Sequence, residues 1–472
     1  MVIDTMTPNE PINLLLGWPT PALHPDRSLL NAATVVLANN ETSTPALRYG
    51  PQLGRDALRQ GVASWLTDIY RPTAGDITFD RVGITGGASV NLTNILLRFS
   101  DPIYTRRVWM VEPTYFMACP MIEDAGLTGK LRGVPEDEEG LDIEFLRDAI
   151  SKADAEGDSE AKPIKTYPKL FRHIVYAVPT FSNPSGKIMS LRRREEIVRL
   201  AREHDALIIT DDVYDALRWP VEESAPLEKV GPLPPRIVDV DRALPGQSEW
   251  GNSVSNGSFS KIIAPGMRVG WLEGTPKFVE NMGKVGSSSS GGCIGHFSSS
   301  LISQMITTGE FTKHIENVLI PTYRRRYNAL LAAIDKYLVP LGVKLNAGSS
   351  YQFNEDSPKV AGGYFLYITF PDGLPPADEL ATWAKTSQAL TIAPGSIFTV
   401  RGDEGSDHRS RTSFGRGARL SWAWNSEEVI VEGIQRLAVV VQDALDGKVE
   451  QNEDGGQTFL AAMARIDIAD TA

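Results

Sequence analysis

Short apolar runs alternate with amphipathic stretches through the middle of the chain. Val108–Pro113 (VWMVEP), His173–Pro179 (HIVYAVP), Ala206–Asp212 (ALIITDD) and Arg268–Gly274 (RVGWLEG) are each short and rich in β-branched or aromatic residues. Each is closed by a turn-former, which is the pattern of a buried strand. Leu191–Asp205 instead places Ile197, Leu200 and Ala201 on one face behind a potential N-cap, Ser190, and predicts a helix. Such alternation predicts a mostly parallel sheet covered by helices on both faces, with ligands collected at the carboxyl ends of its strands.

The pattern changes towards the C-terminus. Gly362–Gly373, Ala389–Phe398 and Ala418–Trp424 read as strands, and a helix bearing Val429, Ile430, Ile434, Leu437 and Val441 follows, so a separate, smaller α+β domain is expected. Three stretches read as loops or insertions. Ala153–Pro163 is polar. Trp219–Pro235 is too rich in proline for a central strand. Arg401–Gly417 is charged and glycine-rich and is expected to be a mobile loop that could close over a substrate. The expected division is 1–45 as an N-terminal arm belonging in part to the small domain, 46–325 as the large domain, and 326–472 as the small one.

A chain of 472 residues fits this two-domain reading. Its formal charge of −12 argues against nucleic acid and anionic membranes as partners. Cys119 and Cys293 offer no disulfide framework and suit a reducing compartment. The N-terminus lacks the form of a signal peptide, and no apolar run approaches the roughly 18 residues of a membrane span. A cytoplasmic protein is expected.

The chemistry sits at the predicted strand ends. After Val82–Ile84, Gly86 and Gly87 lead into a helix beginning at Ala88 and Ser89, a candidate anion cup although equally a common turn. No G-x-G-x-x-G or P-loop is present. Asn183 precedes Pro184 after the His173 strand. Asp211 and Tyr214 follow the Ala206 strand, and the neighbouring acids lack histidines at ligand spacing, so no metal site is expected. Lys261 stands in NGSFSKIIAPGMRVGW with Ser258, Ser260 and Arg268, an apolar frame that is costly for a lysine unless it is paired, exposed or covalently used. A Schiff-base lysine, an acid for a pyridine nitrogen, phenolate donors and a phosphate cup with a cation together match the needs of pyridoxal phosphate.

The ordered motifs Tyr49–Gly54, GGAS, EPTYF, NPSG, DDVY, SFSKIIAPGMRVGW and ARLSWAW resemble the fold type I aminotransferases of class I/II over nearly the whole chain. The wording is most similar to a fungal branch of aminoadipate- or aromatic-type transaminases. The resemblance implies an aspartate aminotransferase-like fold, with a large domain built on a seven-stranded-type sheet, and transfer of an amino group between an L-amino acid and a 2-oxo acid. It implies a Schiff base on Lys261, Asp211 on the pyridine nitrogen, and Tyr214 and Asn183 on the phenolate oxygen. Tyr115 would stack on the ring; Ala88, Ser89, Ser258, Ser260 and Arg268 would hold the phosphate. Arg419 would take the substrate carboxylate, with Arg416 and Arg411 as alternatives in register, and Asn183, Gly17 and Trp18 would border the substrate. Arg268 and the apolar frame would together favour a neutral Lys261. Tyr49 would reach into the other subunit of a homodimer. The same residues would equally serve a β-eliminating C–S lyase or a cyclopropane-forming synthase. A transcription regulator on this fold is disfavoured, because the fold begins too near the N-terminus for a DNA-binding domain.

Overall fold

The computed structural model describes residues 10–157, 167–227, 230–346 and 351–449. The polar stretch Ala153–Pro163 therefore lies partly outside the described residues. The large sheet contains β1 (Val82–Thr85), β2 (Arg107–Glu112), β3 (Leu131–Asp137), β4 (Gly140–Leu141), β5 (His173–Ala177), β6 (Ala206–Asp211), β7 (Ser253–Ser258) and β8 (Gly270–Glu273). Their order across the sheet is β1-β8-β7-β6-β5-β2-β3-β4. The five central strands β7, β6, β5, β2 and β3 run parallel. β8 is antiparallel to both its neighbours, and the two-residue β4 merely returns along β3. Seven strands thus carry the sheet, as expected, and the eighth is a hairpin stub.

All four predicted strands form, ending within a few residues of the apolar runs. β5 and β6 are buried almost throughout because helices cover both faces. One covering helix is Leu191–Glu203, which buries Ile197, Leu200 and Ala201; Ser190 caps it by accepting the Arg193 N–H at 3.1 Å.

A second sheet follows: β9 (Lys344–Asn346), β10 (Phe365–Thr369), β11 (Ala393–Pro394) and β12 (Gly417–Ser421), antiparallel in the order β9-β10-β12-β11. Helices Ile320–Tyr337, Ala377–Gln388 and Glu427–Leu445 accompany it. The N-terminal segment joins this region, because Ile12–Asn13 pairs in parallel with Leu390–Thr391. One apolar core runs from one face of the large sheet into this C-terminal layer, while the other face has its own core.

Two loop expectations need correction. Arg401–Gly417 is a helix, Glu404–Thr412, followed by a short 3₁₀ turn. Asp403 caps it through the Gly405 N–H and also accepts the Gly133 N–H at 2.8 Å. Arg409 reaches from it to the buried Glu112 carboxylate and to the Gly133 carbonyl at 3.1 Å. Those ties to the end of β2 and the middle of β3 hold the segment down. The proline-rich stretch is likewise more than a surface loop: Arg218–Pro220 pairs with Val360–Gly362, and Trp219 and Leu233 are buried.

Candidate active site

Topology gathers the predicted residues at one edge of the large sheet. β6 ends at Asp211, whose register partner on β7 is Asn256. β7 ends at Ser258 and turns at once into a 3₁₀ turn, Phe259–Lys261, so the lysine emerges beside the aspartate. Because β8 runs against its neighbours, the residues preceding it arrive at the same edge. Gly270 faces both Thr85 and Ser258, which brings Arg268 beside the glycine pair.

The glycine pair forms a cradle. Gly87 has φ of 97°, a conformation that favours glycine, and no side chain caps the helix Ala88–Phe99 that it starts. A methyl group at Gly87 would lie 3.1 Å from Arg268 Nη2, the atom that donates to the Gly86 carbonyl at 3.2 Å. Ser89 is exposed at the first turn. Ser258 accepts the Ser260 N–H at 3.1 Å and donates to the Ser260 hydroxyl at 2.9 Å. Thr85 Oγ1 is buried there without a partner. Asn256 fixes the cradle to the aspartate, donating to the Ala88 carbonyl at 3.0 Å and to Asp211 Oδ1 at 3.4 Å.

Burial raises Asp211 to about 7, against the hydrogen bond donated by Tyr176, 2.9 Å from Oδ2; the neighbouring Asp212 raises it further and Lys261 opposes. Lys261 keeps part of its surface accessible, yet desolvation around its amine lowers it to about 8. The cation that lowers it further is Arg419, not Arg268 as the sequence suggested, because Arg268 turns to the Gly86 and Pro265 carbonyls. Lys261 Nζ donates to the Gly17 carbonyl at 2.8 Å.

Arg419 enters from β12 and is buried. It donates to Asn183 Oδ1 and to the Leu15 carbonyl, both at 2.6 Å, and its guanidinium carbon lies 4.0 Å from the Phe365 ring centroid. Its Nε has no partner, and desolvation lowers it to about 10. Of the three candidate arginines it alone meets the others: Arg416 pairs with the exposed Asp372, and Arg411 is exposed. Asn183 also hydrogen-bonds Tyr214, which burial pushes well up. Tyr115 is raised to about 12, first by burial, with Asp211 raising it and Arg419 lowering it.

Gly17 closes over the lysine, and any side chain there would strike the Phe365 ring. Trp18 packs edge-on to Trp424 with centroids 6.3 Å apart. Tyr49 does not join these residues; it is 86% exposed and adjoins Gly291. Sequence reasoning missed Tyr176, Asn256, Tyr364 and Phe365. A tyrosine hydroxyl and an amide inside otherwise apolar or small-residue strands were the available signals for the first two.

The ionisable groups have neutral partners only. Arg268, Lys261 and Arg419 donate to carbonyl and amide oxygens, and among the described residues none pairs with a carboxylate. A buried arginine without an anion invites one, and the glycine cradle with an orphaned hydroxyl and a free cation suits a phosphate. An acid for a ring nitrogen and a lysine of lowered basicity complete a set that fits pyridoxal phosphate. Fold and site together therefore define a pyridoxal phosphate-dependent transferase.

Comparison makes the class specific. The aminotransferase class I and II family matches residues 24–340. The Saccharomyces cerevisiae protein YER152C is 32% identical over 83% of this chain and 89% of its own. The aromatic-amino-acid aminotransferase 1 of Thermococcus litoralis is 28% identical over 93% and 89%. The crystal structure of Pyrococcus horikoshii kynurenine aminotransferase, in complex with PMP, KYN as substrates and KYA as products, superposes with a TM-score of 0.72 at 26% identity, covering 93% of this chain and 92% of that one. The chain belongs to the class I and II aminotransferases. It is a pyridoxal phosphate-dependent enzyme that exchanges an amino group between an amino acid and a 2-oxo acid. No helix among the described residues is long and apolar enough to cross a membrane.

Proposed function

We propose that Lys261 is the lysine that bears the cofactor and that the preferred amino donor is an aromatic L-amino acid. The observation that carries the reading is the convergence of Arg419, Lys261 and Asp211 without ionic partners. Pyridoxal phosphate, when bound, supplies the electron sink that acidifies the substrate's α-C–H. Arg419 takes the substrate carboxylate and Asn183 holds the guanidinium in place, which aims the α-C–H at Lys261. Lys261 Nζ, lowered to about 8, becomes neutral well below the ordinary lysine value and moves the α-proton. Asp211 holds the ring-nitrogen proton, and Tyr214 and Asn183 donate to the phenolate oxygen. Tyr115 stacks on the ring. Ala88, Ser89, Ser258, Ser260 and Arg268 hold the phosphate.

The aromatic preference is supported by Trp18, Trp424, Phe365 and Phe398 around Gly17 and Arg419, and by the name of the Thermococcus relative. Tyr49 completes the site of a second copy. In support, it adjoins an apolar surface on helices Asp26–Val36, Asn40–Leu47 and His296–Thr307, where Leu30 and Leu47 are 68% and 64% exposed. The exposed Ile294, two residues before the last of these helices, lies against the cradle, since a methyl group at Gly86 would be 3.1 Å from it. Two buried, unpaired cysteines suit the cytoplasm as the compartment.

The test adds L-amino acids singly to the purified holoenzyme without an acceptor. The yellow band should convert to the pyridoxamine form, with one equivalent of 2-oxo acid released, fastest for phenylalanine, tyrosine or kynurenine. Fastest conversion by a dicarboxylic donor would overturn the aromatic preference. Catalytic release of ammonia would move the enzyme to the eliminating lyases.

A further inference from the structure

Tyr364 lies immediately before β10 in the C-terminal layer, and it is completely buried. Its neighbours tie it down: the Gly363 N–H donates to the Leu217 carbonyl at 2.9 Å, and the Trp422 N–H donates to the Tyr364 carbonyl at 3.3 Å. From there its hydroxyl donates to the main-chain carbonyl of Lys261 at 3.0 Å. A phenol has one hydrogen to give. The 3.2 Å contact between the Tyr364 and Tyr323 hydroxyls is therefore a bond donated by Tyr323, and a directed relay runs from Tyr323 through Tyr364 to the lysine's backbone.

The ring acts on the same residue from below. Lys261 Nζ stands 5.6 Å from the Tyr364 ring centroid, within cation–π range. The ring also packs against Tyr214, centroids 5.4 Å apart, so one buried side chain touches two of the groups assigned to the cofactor. Lys261 sits in a three-residue 3₁₀ turn closed by the Ile262 and Ile263 N–H groups on the Phe259 carbonyl. A short turn of this kind leaves its last carbonyl without an internal donor. Tyr364 supplies that donor from outside the large sheet, while the Gly17 carbonyl accepts from the amine.

We propose that Tyr364 is a positioning residue for Lys261, through which the placement of the C-terminal layer is passed to the lysine and to Tyr214. The inference rests on Lys261 being the cofactor-bearing residue. Arg419 hydrogen-bonds Asn183 and Leu15 rather than Tyr364, so removing the Tyr364 hydroxyl takes no hydrogen bond from the carboxylate-binding guanidinium.

The experiment titrates cofactor-free wild type, Tyr364→Phe, Tyr323→Phe and Lys261→Ala with pyridoxal phosphate by tryptophan fluorescence, and follows with kinetics on one amino acid. Phenylalanine keeps the ring packing and removes only the hydroxyl. For Tyr364→Phe the cofactor Kd should rise about 10-fold and kcat fall about 10-fold, with KM within about twofold of wild type. Tyr323→Phe should stay within about twofold throughout, because Tyr364 can still donate. The inference is overturned if Tyr364→Phe binds the cofactor like wild type, if its effect falls on KM alone, or if Tyr323→Phe reproduces it. The last result would assign the loss to the buried tyrosine pair. If Lys261→Ala binds as tightly as wild type, the assignment of Lys261 fails and takes this inference with it; if only Tyr364→Phe is silent, the assignment stands.

Discussion

Lys261→Ala should reduce transamination by roughly 10⁴-fold or more while leaving the protein folded. General acid–base catalysis alone is worth about 10²–10⁴, and the variant also loses the amine that holds the cofactor. The amine is lowered to about 8, first by burial and then by Arg419, so in the cofactor-free enzyme it is neutral above that pH. Cofactor attachment to wild type should accordingly accelerate as pH rises through about 8. The sign for stability follows from the same value. A lysine ordinarily titrates near 10.4, so between about 8 and 10.4 the unfolded chain binds the additional proton and stability rises with pH. Below 8 the folded state bears the full cost of a desolvated ammonium. Alanine removes that cost, and cofactor-free Lys261→Ala should melt at or above the wild-type temperature at pH 7. Single-turnover kinetics and differential scanning calorimetry check the two halves. A variant retaining more than about a hundredth of wild-type turnover would refute the assignment.

Four strands of the large sheet were legible because β2, β5, β6 and β8 appear as nearly continuous apolar runs, whereas β7 is buried but built of small polar residues and β3 carries charge. Ser190 was legible because capping is local. The candidate site residues were reached through the order of the motifs rather than through the apolar pattern alone: Asp211 ends an apolar strand, whereas Lys261 follows the small, polar Ser253–Ser258 and Arg419 lies within β12. What could not be read depends on partners distant in sequence. Glu404–Thr412 looked like a loop because its anchors, Glu112 and Gly133, lie in other strands. Asn256 acquires its role from register with Asp211, and Tyr176 from the packing of β5 beside β6. Tyr364 touches Lys261 only because two sheets meet there. The exchange of Arg268 for Arg419 as the cation acting on the lysine has the same origin: nearness along the chain favoured Arg268, and packing chose Arg419.

Asp211→Asn should separate function from stability in opposite directions. The carboxylate is raised to about 7, chiefly by burial, although Tyr176 donates to it and Lys261 lies near. An acid whose folded value exceeds its unfolded value of about 3.9 binds the extra proton when folded, so it lowers stability progressively as pH rises from about 4 to 7. Three pH units correspond to about 4 kcal/mol at most. Asparagine retains the shape and the acceptor oxygen for Tyr176 without the charge. Cofactor-free Asp211→Asn should therefore match wild type in urea unfolding at pH 4 and exceed it by up to about 4 kcal/mol at pH 8. Function should move the other way, because an amide cannot hold a proton on the ring nitrogen by charge, and a buried ion pair that loses one partner costs about 3–5 kcal/mol. Cofactor affinity and kcat together should fall roughly 10²–10³-fold. If the variant is instead less stable than wild type at pH 8, Asp211 is a structural acid whose charge is compensated within the fold. A gain in stability accompanied by lost affinity identifies an acid kept uncompensated for a cationic ligand group.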